Sequence, residues 1–345
     1  MQLKRKSSST PPSGDRTPQI MDRIPIVDAD LFIYSCGMAG QYTIKHFYPI
    51  SEKDYSKPRK GPIASFRYVN GDAGYKTWLA REEYTLDEDV FFLEEEVLDP
   101  IVNILHSVKM GLQKVQDQFG NKPVLYITGK DNFREGVAKE IPYKGNRASP
   151  EQRATWREEG KWIEWLDKTE AKYKQSPRPK HKQAIIDYMV KHWDATVIDG
   201  MEADDACCIH QWKDWDSHQY INKEQDSKTC IVHVDKDLNM LPGWHFNPHK
   251  GEPPYYVDEL MGWKFFYKQV LTGDSNDNIP GLFKVGPAKA NKLIDPCNTL
   301  SEMYGVVFDT YKAHPDFEGK DDDYIAEMIE NRGELLWMLR EDRDG

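Results

Sequence analysis

A chain of 345 residues with 39% hydrophobic and 12% aromatic content can bury a sizeable core, as one large α/β unit or a core plus a smaller module. Its formal net charge of -11 argues against nonspecific adhesion to DNA or acidic membranes. Five cysteines without a CxxC pair argue against a zinc ribbon or disulfide scaffold and fit a reduced cytoplasmic compartment, and no apolar run approaches the ~20 residues of a membrane span.

Residues 1–22, basic and then rich in Ser, Pro and Gly, read as a flexible leader that has no signal-peptide core. Ile24–Val27 predicts a short strand, after which Asp28 and Asp30 open a helix. Residues 41–85 show no clear period and read as loop or irregular insertion. Asp87 to Phe119 carries helical spacing, with Pro100 as a break or first-turn proline between two helices. Pro123–Gly129 predicts a second strand, residues 149–175 a helix, and Ala195–Gly200 a third strand before the helical MEADDACCIHQW. Thr229–Val234 predicts a fourth strand, and DYIAEMIENRGELLWMLRED near the C-terminus a docking helix. Strands alternating with helices predict an α/β fold with a mostly parallel central sheet.

Ligands of such sheets sit beyond the carboxyl ends of the strands, and that is where the acids fall. Asp28 and Asp30 follow the first strand, Asp131 the second, Glu202, Asp204 and Asp205 the third, and Asp235 and Asp237 the fourth. Carboxylates gathered in a small volume need cations to neutralise them. Oxygen-only ligation fits Mg²⁺ or Mn²⁺ and disfavours zinc. Two such ions are a usual device for phosphodiester hydrolysis, because they activate a water and hold the leaving oxygen. The rival readings are helix capping for any one acid and an EF-hand at Asp235. The EF-hand fails because Met240 stands where its turn needs Gly and Phe246 where its bidentate Glu belongs.

Downstream, LTGDSNDNIPGLFKVGPAKANKLI places Asp274 and Asp277 before Gly281 and a glycine turn at Gly286, with Lys289 in the helix that follows. Backbone N–H groups at such a turn cradle a phosphate without reading bases, unless it is an ordinary helix start with a first-turn proline.

In their order, IVDAD, NFREGVAKEIPYKGNR, MEADDA, VDKDL and GDSNDNIPGLFKVGPAKA resemble the 5′-nuclease (flap endonuclease) superfamily, above all the bacteriophage 5′→3′ exonucleases. The resemblance covers roughly residues 24–36 and 123–295. It implies a PIN-like nuclease core over residues 23–260 with a helical arch at about 143–195. It also implies a helical DNA-binding module over 261–345, with a helix–three-turn–helix at about 271–294 that holds K⁺. By similarity, Asp28, Glu202, Asp204 and Asp205 belong mainly to a first metal site, and Asp235, Asp237 and Asp274 to a second, with Asp277 near it. Lys144 and Arg147 match the basic residues at the scissile phosphate. Tyr143 resembles a base-stacking residue, the alternative being a lid over the core. Arg134 matches an arginine that serves as phosphate contact or structural ion pair. The pattern departs at the second strand, where TGK replaces the usual aspartate and Asp131 is the nearest acid.

Residues 134–182 hold 13 Lys or Arg against 8 Asp or Glu. Within them Lys172, Lys174, Arg178, Lys180 and Lys182 form a stripe without an acid, suited to tracking phosphates. Trp156, Trp162 and Trp165 either stack on bases or form a buried helix face, the latter reading being favoured for the last two. His233, Cys207 and Cys208 are expected to pack in the core. The expected activity is Mg²⁺-dependent 5′→3′ hydrolysis of DNA by a monomer, in a host bacterial cytoplasm if the source is a phage. Flaps or RNA:DNA hybrids are further substrates, and a catalytically silent DNA-binding scaffold is the alternative.

Overall fold

The computed structural model describes residues 22–53, 60–68, 74–175, 177–219 and 227–342. Apart from Asp22, the expected leader lies outside the described residues. The chain opens with β1 (Ile24–Asp28) and α1 (Asp30–Ala39). There follow β2 (Gln41–Pro49), β3 (Ala64–Tyr68), α2 (Gly74–Arg81) and β4 (Val90–Leu98). Helix α3 (Ile101–Phe119) leads to β5 (Val124–Thr128), and a short α4 (Phe133–Val137) to α5 (Pro150–Glu158), α6 (Ile163–Glu170) and α7 (Lys182–Trp193). Strand β6 (Thr196–Ile198), helix α8 (Ala203–Gln219), and strands β7 (Thr229–Val232), β8 (Gly243–Phe246) and β9 (Tyr255–Val257) complete the sheet. Helix α9 (Glu259–Thr272), the hairpin β10 (Gly273–Asp274) and β11 (Ile279–Pro280), and α10 (Pro287–Ile294), α11 (Leu300–Lys312) and α12 (Asp322–Leu336) follow.

The central sheet has the order β6-β5-β1-β7-β8-β9, parallel throughout except for β9. Its inner strands are apolar runs, as expected where helices cover both faces. One face carries α1, α3 and α7, packed through residues such as Ile33, Leu112, Phe119 and Met189. The opposite face receives Cys207 and Cys208 of α8 with Leu238 and Met240. A third cluster joins α9 to α12 and reaches back to Ala138 and Tyr143. The parallel α/β expectation holds. The four predicted strands all occur, the fourth ending at Val232, and α12 is the expected C-terminal helix.

The segment 41–98 departs from expectation. Residues 41–85 are not an irregular loop, and Asp87–Leu98 is not a helix. Strand β4 lies antiparallel to β2 over nine positions from Gln41↔Leu98 to Pro49↔Val90, and β3 pairs with the other edge of β2. The run FFLEEE satisfies helical and extended spacing alike, and a partner about 50 residues away decides between them. Helix α2 closes one face of this sheet through Phe47, Phe66, Tyr75 and Trp78. The single helix expected over 149–175 is two short ones, separated where Gly160 and Trp162 adopt positive φ. Helix α3 needs no correction: Ile104, Val108, Leu112, Val115 and Phe119 form its buried stripe, and Gly120 ends it at φ 71°.

Helix α9 crosses the 3₁₀ turn Asp237–Met240 so closely that a Cβ on Gly262 would lie 2.4 Å from the Met240 carbonyl oxygen. Gly262→Ala is therefore expected to cost about 1–3 kcal/mol, read from urea unfolding, because overpacking here has only backbone to push against.

Candidate active site

The carboxyl ends of β1, β5, β6 and β7 open into one cleft of about 950 Å³. Asp28, at the end of β1, and Asp30, in the first turn of α1, line it. So do Glu202 and Asp204 at the start of α8, and Asp235 and Lys236 just beyond β7. The loop between α4 and α5 adds Tyr143, Lys144 and Arg147 to the wall. That loop is stitched to the segment between β10 and β11: the Lys144 N–H donates to the Asp277 carbonyl at 2.8 Å, and Asn278 Nδ2 to the Pro142 carbonyl at 2.7 Å. Asn146 Nδ2 donates to the Ser275 and Asn276 carbonyls. Two motifs about 130 residues apart thus form one wall.

Like charges so near one another set the electrostatics. Asp28 is pushed up to about 8, first by burial and then by Asp30, Asp235 and Glu202. Asp237 is pushed up to about 7 by burial and by Asp235. Burial and the neighbouring Glu202 and Asp205 raise Asp204 well above the carboxylate range. Burial acts on Glu202 too, but Lys144 and Arg134 outweigh it and hold Glu202 below its ordinary value. Asp274 behaves in the same way beside Lys236.

Cationic side chains supply the compensation. Lys144 donates to Glu202 and lies 3.8 Å from Asp277, while Tyr143 Oη donates to Glu202 at 2.8 Å and to Asp277 at 3.0 Å. Arg147 Nη2 reaches Asp277 at 3.0 Å. Lys236 Nζ donates to Asp274 at 2.6 Å and lies 3.5 Å from Asp237, which also accepts from Gln269 Nε2 at 2.6 Å. Among the described residues, no three acid, histidine or cysteine side chains are gathered closely enough to enclose an ion by themselves. The donor chemistry nevertheless fits a hard divalent cation: oxygen donors, buried, with positive charge already held against them at two separate points.

Neither a protein-family profile nor a curated protein sequence matches the chain. Solved structures do. The bacteriophage T5 flap endonuclease in complex with DNA and metal ions aligns at 18% identity, over 67% of this chain and 77% of that one, with a TM-score of 0.41. The T5 5′-exonuclease with zinc bound gives 19%, 67%, 78% and 0.40 for the same measures, and the catalytic core of Rad2 in complex with DNA substrate 13%, 94%, 77% and 0.36. At these values the likeness assigns no activity to this chain.

Several expected site residues lie elsewhere. Asp131 is exposed, at φ 60°, and does not line the cleft. The end of β5 instead presents Thr128, whose N–H donates to Asp30 at 3.4 Å and whose hydroxyl caps α8 at the Ala203 N–H. Asp30 is thus the cleft acid nearest that strand end. Asp205 and Arg134, both fully buried, form a bidentate pair at 2.5 and 2.8 Å beneath the cleft. Arg134 also donates to the Leu335 and Trp337 carbonyls. Arg134 thus makes the structural ion pair that was one of its two expected roles, and Asp205, which also accepts from the Leu339 N–H, does not line the cleft. Tyr143 packs in the C-terminal core with its hydroxyl bonded, which favours the lid over the stacking role.

Lys182 and Arg178 line the cleft, whereas Lys172, Lys174, Lys180 and Lys289 lie outside its wall. Gly281 serves the hairpin itself: a Cβ there would meet the Thr272 backbone at 2.1 Å, while Gly286 faces open space. Trp156 lines the cleft; Trp162 packs on the C-terminal core, and Trp165 lies under Arg153. His233 is buried and bonded to His245 and to the Asp235 carbonyl. Lys236 and Glu135 were missed by sequence reasoning. Lys236 stands inside the VDKDL motif, and its position between two acids was the available signal.

Arg134→Ala is expected to destabilise the protein by about 3–5 kcal/mol in denaturant unfolding, since it strands Asp205 in the interior, while Arg134→Met with Asp205→Leu recovers most of the loss. A pH effect follows from the raised acids. His233 and His245, held neutral by burial with values lowered to about 4 and about 3, stop contributing slope about one pH unit above the ordinary value of 6.5, where the unfolded imidazoles are neutral as well. Above that point Asp28 and Asp237 still retain protons that the unfolded state has lost, so stability falls as pH rises to about 8. In chelator the melting temperature should drop by several degrees across that window, and millimolar Mg²⁺ should flatten the drop.

Proposed function

We propose that the chain is a divalent-metal-dependent nuclease that hydrolyses DNA phosphodiester bonds from or near 5′ ends. The observation that carries the reading is the meeting of acids from separate strand ends on one cleft whose wall also bears Lys144 and Arg147. Structural ion pairs do not require so many acids at one place, whereas phosphoryl transfer uses this combination of oxygen ligands and fixed cations.

Asp28, Asp30, Glu202, Asp204 and Asp235 would hold one ion, and Asp237 and Asp274 with Asp277 a second. Bound there, Mg²⁺ or Mn²⁺ supplies Lewis-acid stabilisation of the phosphoryl oxygens and a nucleophile at neutral pH. An ion at Asp237 and Asp274 competes with the Lys236 ammonium for the same oxygens. Lys144 and Arg147 orient the phosphate and offset charge that develops on it. Tyr143 fixes Glu202 and Asp277 relative to each other through its single hydroxyl. Arg134 with Asp205 anchors the start of α8 to the C-terminal segment, so that Glu202 and Asp204 keep their place without contacting substrate themselves. The exposed Lys172, Lys174 and Lys289 belong to the same reading as phosphate contacts, as does a K⁺ ion at the segment of about 271–294, on the resemblance of the motif alone. Among the described residues, no helix is long and apolar enough to cross a membrane.

Duplexes labelled at either end, incubated with Mg²⁺ and with chelator, test the reaction and its polarity together. Short 5′-labelled products that depend on Mg²⁺ are expected. Lys144→Ala should lower the rate about 10²–10³-fold, and Asp204→Asn should abolish it while DNA binding persists. Binding without cleavage under either Mg²⁺ or Mn²⁺ would instead make the chain a silent scaffold. An RNA:DNA substrate run in parallel separates a primer-removing activity from a DNA-specific one.

A further inference from the structure

A second cleft of about 870 Å³ lies between α1, the β2-β3-β4 sheet and the coil preceding α7. It shares Ser35 and Arg178 with the acidic cleft, so the two form one continuous trough. Its chemistry differs from that of the first. Arg67, Arg178 and Lys180 line it against a single acid, Glu96, which Lys180 pairs at 3.3 Å. Arg67 and Arg178 have no acid partner among the described residues. In a chain of net charge -11, two uncompensated guanidinium groups beside an open cleft form a local anion field.

Two features show that the trough is built. Gln41, the first residue of β2, holds the coil by its side-chain amide: Nε2 donates to the Arg178 carbonyl at 3.1 Å, and Oε1 accepts from the Lys180 N–H at 2.9 Å. Between those residues Pro179 packs on α1 so closely that a Cβ on Gly37 would sit 2.7 Å from it. The Arg178 backbone is thereby fixed at the junction of the two clefts. The second feature is a flat cationic shelf. The Arg67 guanidinium lies 3.7 Å from the centre of the Tyr42 ring, tethered by a 2.6 Å bond from Nη2 to the Ala39 carbonyl. Stacked aromatic and guanidinium planes offer a surface for the face of an unpaired base, and the arginines beside them contact its phosphates.

We propose that this trough binds the single-stranded extension of a nucleic-acid substrate whose phosphodiester lies in the acidic cleft, with Tyr42 and Arg67 as base shelf and Arg178 as the phosphate contact at the junction. The proposal rests on the nuclease reading of the first cleft. It gives the segment 41–98, which interrupts the α/β order between β1 and β5, a role in choosing substrates with unpaired ends. Duplex DNA alone gains nothing from the shelf, because its bases are already stacked on each other.

The test uses the full chain in chelator, with fluorescence anisotropy of two dye-labelled DNAs: a blunt duplex and the same duplex with a single-stranded extension. Wild type should bind the extended duplex about tenfold more tightly. Arg67→Gln and Tyr42→Leu, which alter only the second cleft, should each remove most of that advantage and leave blunt-duplex affinity and Mg²⁺-dependent cleavage unchanged. For Arg178→Gln, the salt dependence of binding to the extended substrate should lose about one unit of slope, as expected for one lost phosphate contact. An advantage that persists in both Arg67→Gln and Tyr42→Leu, or losses equal on both DNAs, would overturn the proposal while leaving the nuclease reading intact. Absence of any binding or cleavage by wild type would overturn both.

Discussion

Mutual repulsion among buried carboxylates is the constraint around which this molecule is organised. Each acid at the strand ends loses hydration and sits beside others of the same sign, so the charged state is tolerable only where a cation answers it. The chain answers in three ways. Arg134 neutralises Asp205 inside the protein, Lys144 and Arg147 meet Glu202 and Asp277 at the cleft wall, and Lys236 spans Asp237 and Asp274. Asp28 and Asp204 are left with no such ion pair, and burial with neighbouring acids raises both above the carboxylate range. That uneven compensation is what the proposed divalent ion would answer.

The same constraint ties the C-terminal helices to the site. The Leu335 and Trp337 carbonyls accept from the arginine that holds Asp205, and Arg332 of α12 pairs bidentately with Glu140 at 2.7 and 2.8 Å. Helix α9 carries Gln269 to Asp237 and leads into the hairpin that bears Asp274. The cleft is therefore walled by two cores, and neither alone positions the full set of acids. Rigid elements at the strand ends give precision, and the loops stitched across them supply the cations.

How much of this was legible in the chain varied with the range of the interactions involved. Short apolar runs followed by acids marked β1, β5 and β7, since an inner parallel strand is covered on both faces and reads as apolar along its length, whereas the exposed edge strand β6 was marked by its β-branched residues. The Lys144 and Arg147 motif and the GDSNDN motif could be read separately, but nothing local says that Asn278 bonds to Pro142. Arg134 could not be assigned between ion pair and phosphate contact, because the choice depends on carbonyls 200 residues away. Asp131, the acid that follows β5 most closely in sequence, is exposed at φ 60° and lies outside the cleft wall.

The sequence by itself determined the alternation of strands and helices, the placing of acids after strands, and the basic bias of residues 134–182. These follow from local periodicity and from charge, which need no partner to be seen. Only the tertiary structure decided that 41–98 holds an antiparallel sheet, that Asp205 is sealed beneath the site, and that Lys236 reaches across to Asp274. In each case the deciding energy is a contact between distant segments: a ladder of hydrogen bonds, a desolvated ion pair, or a cation drawn to the nearest unpaired carboxylate.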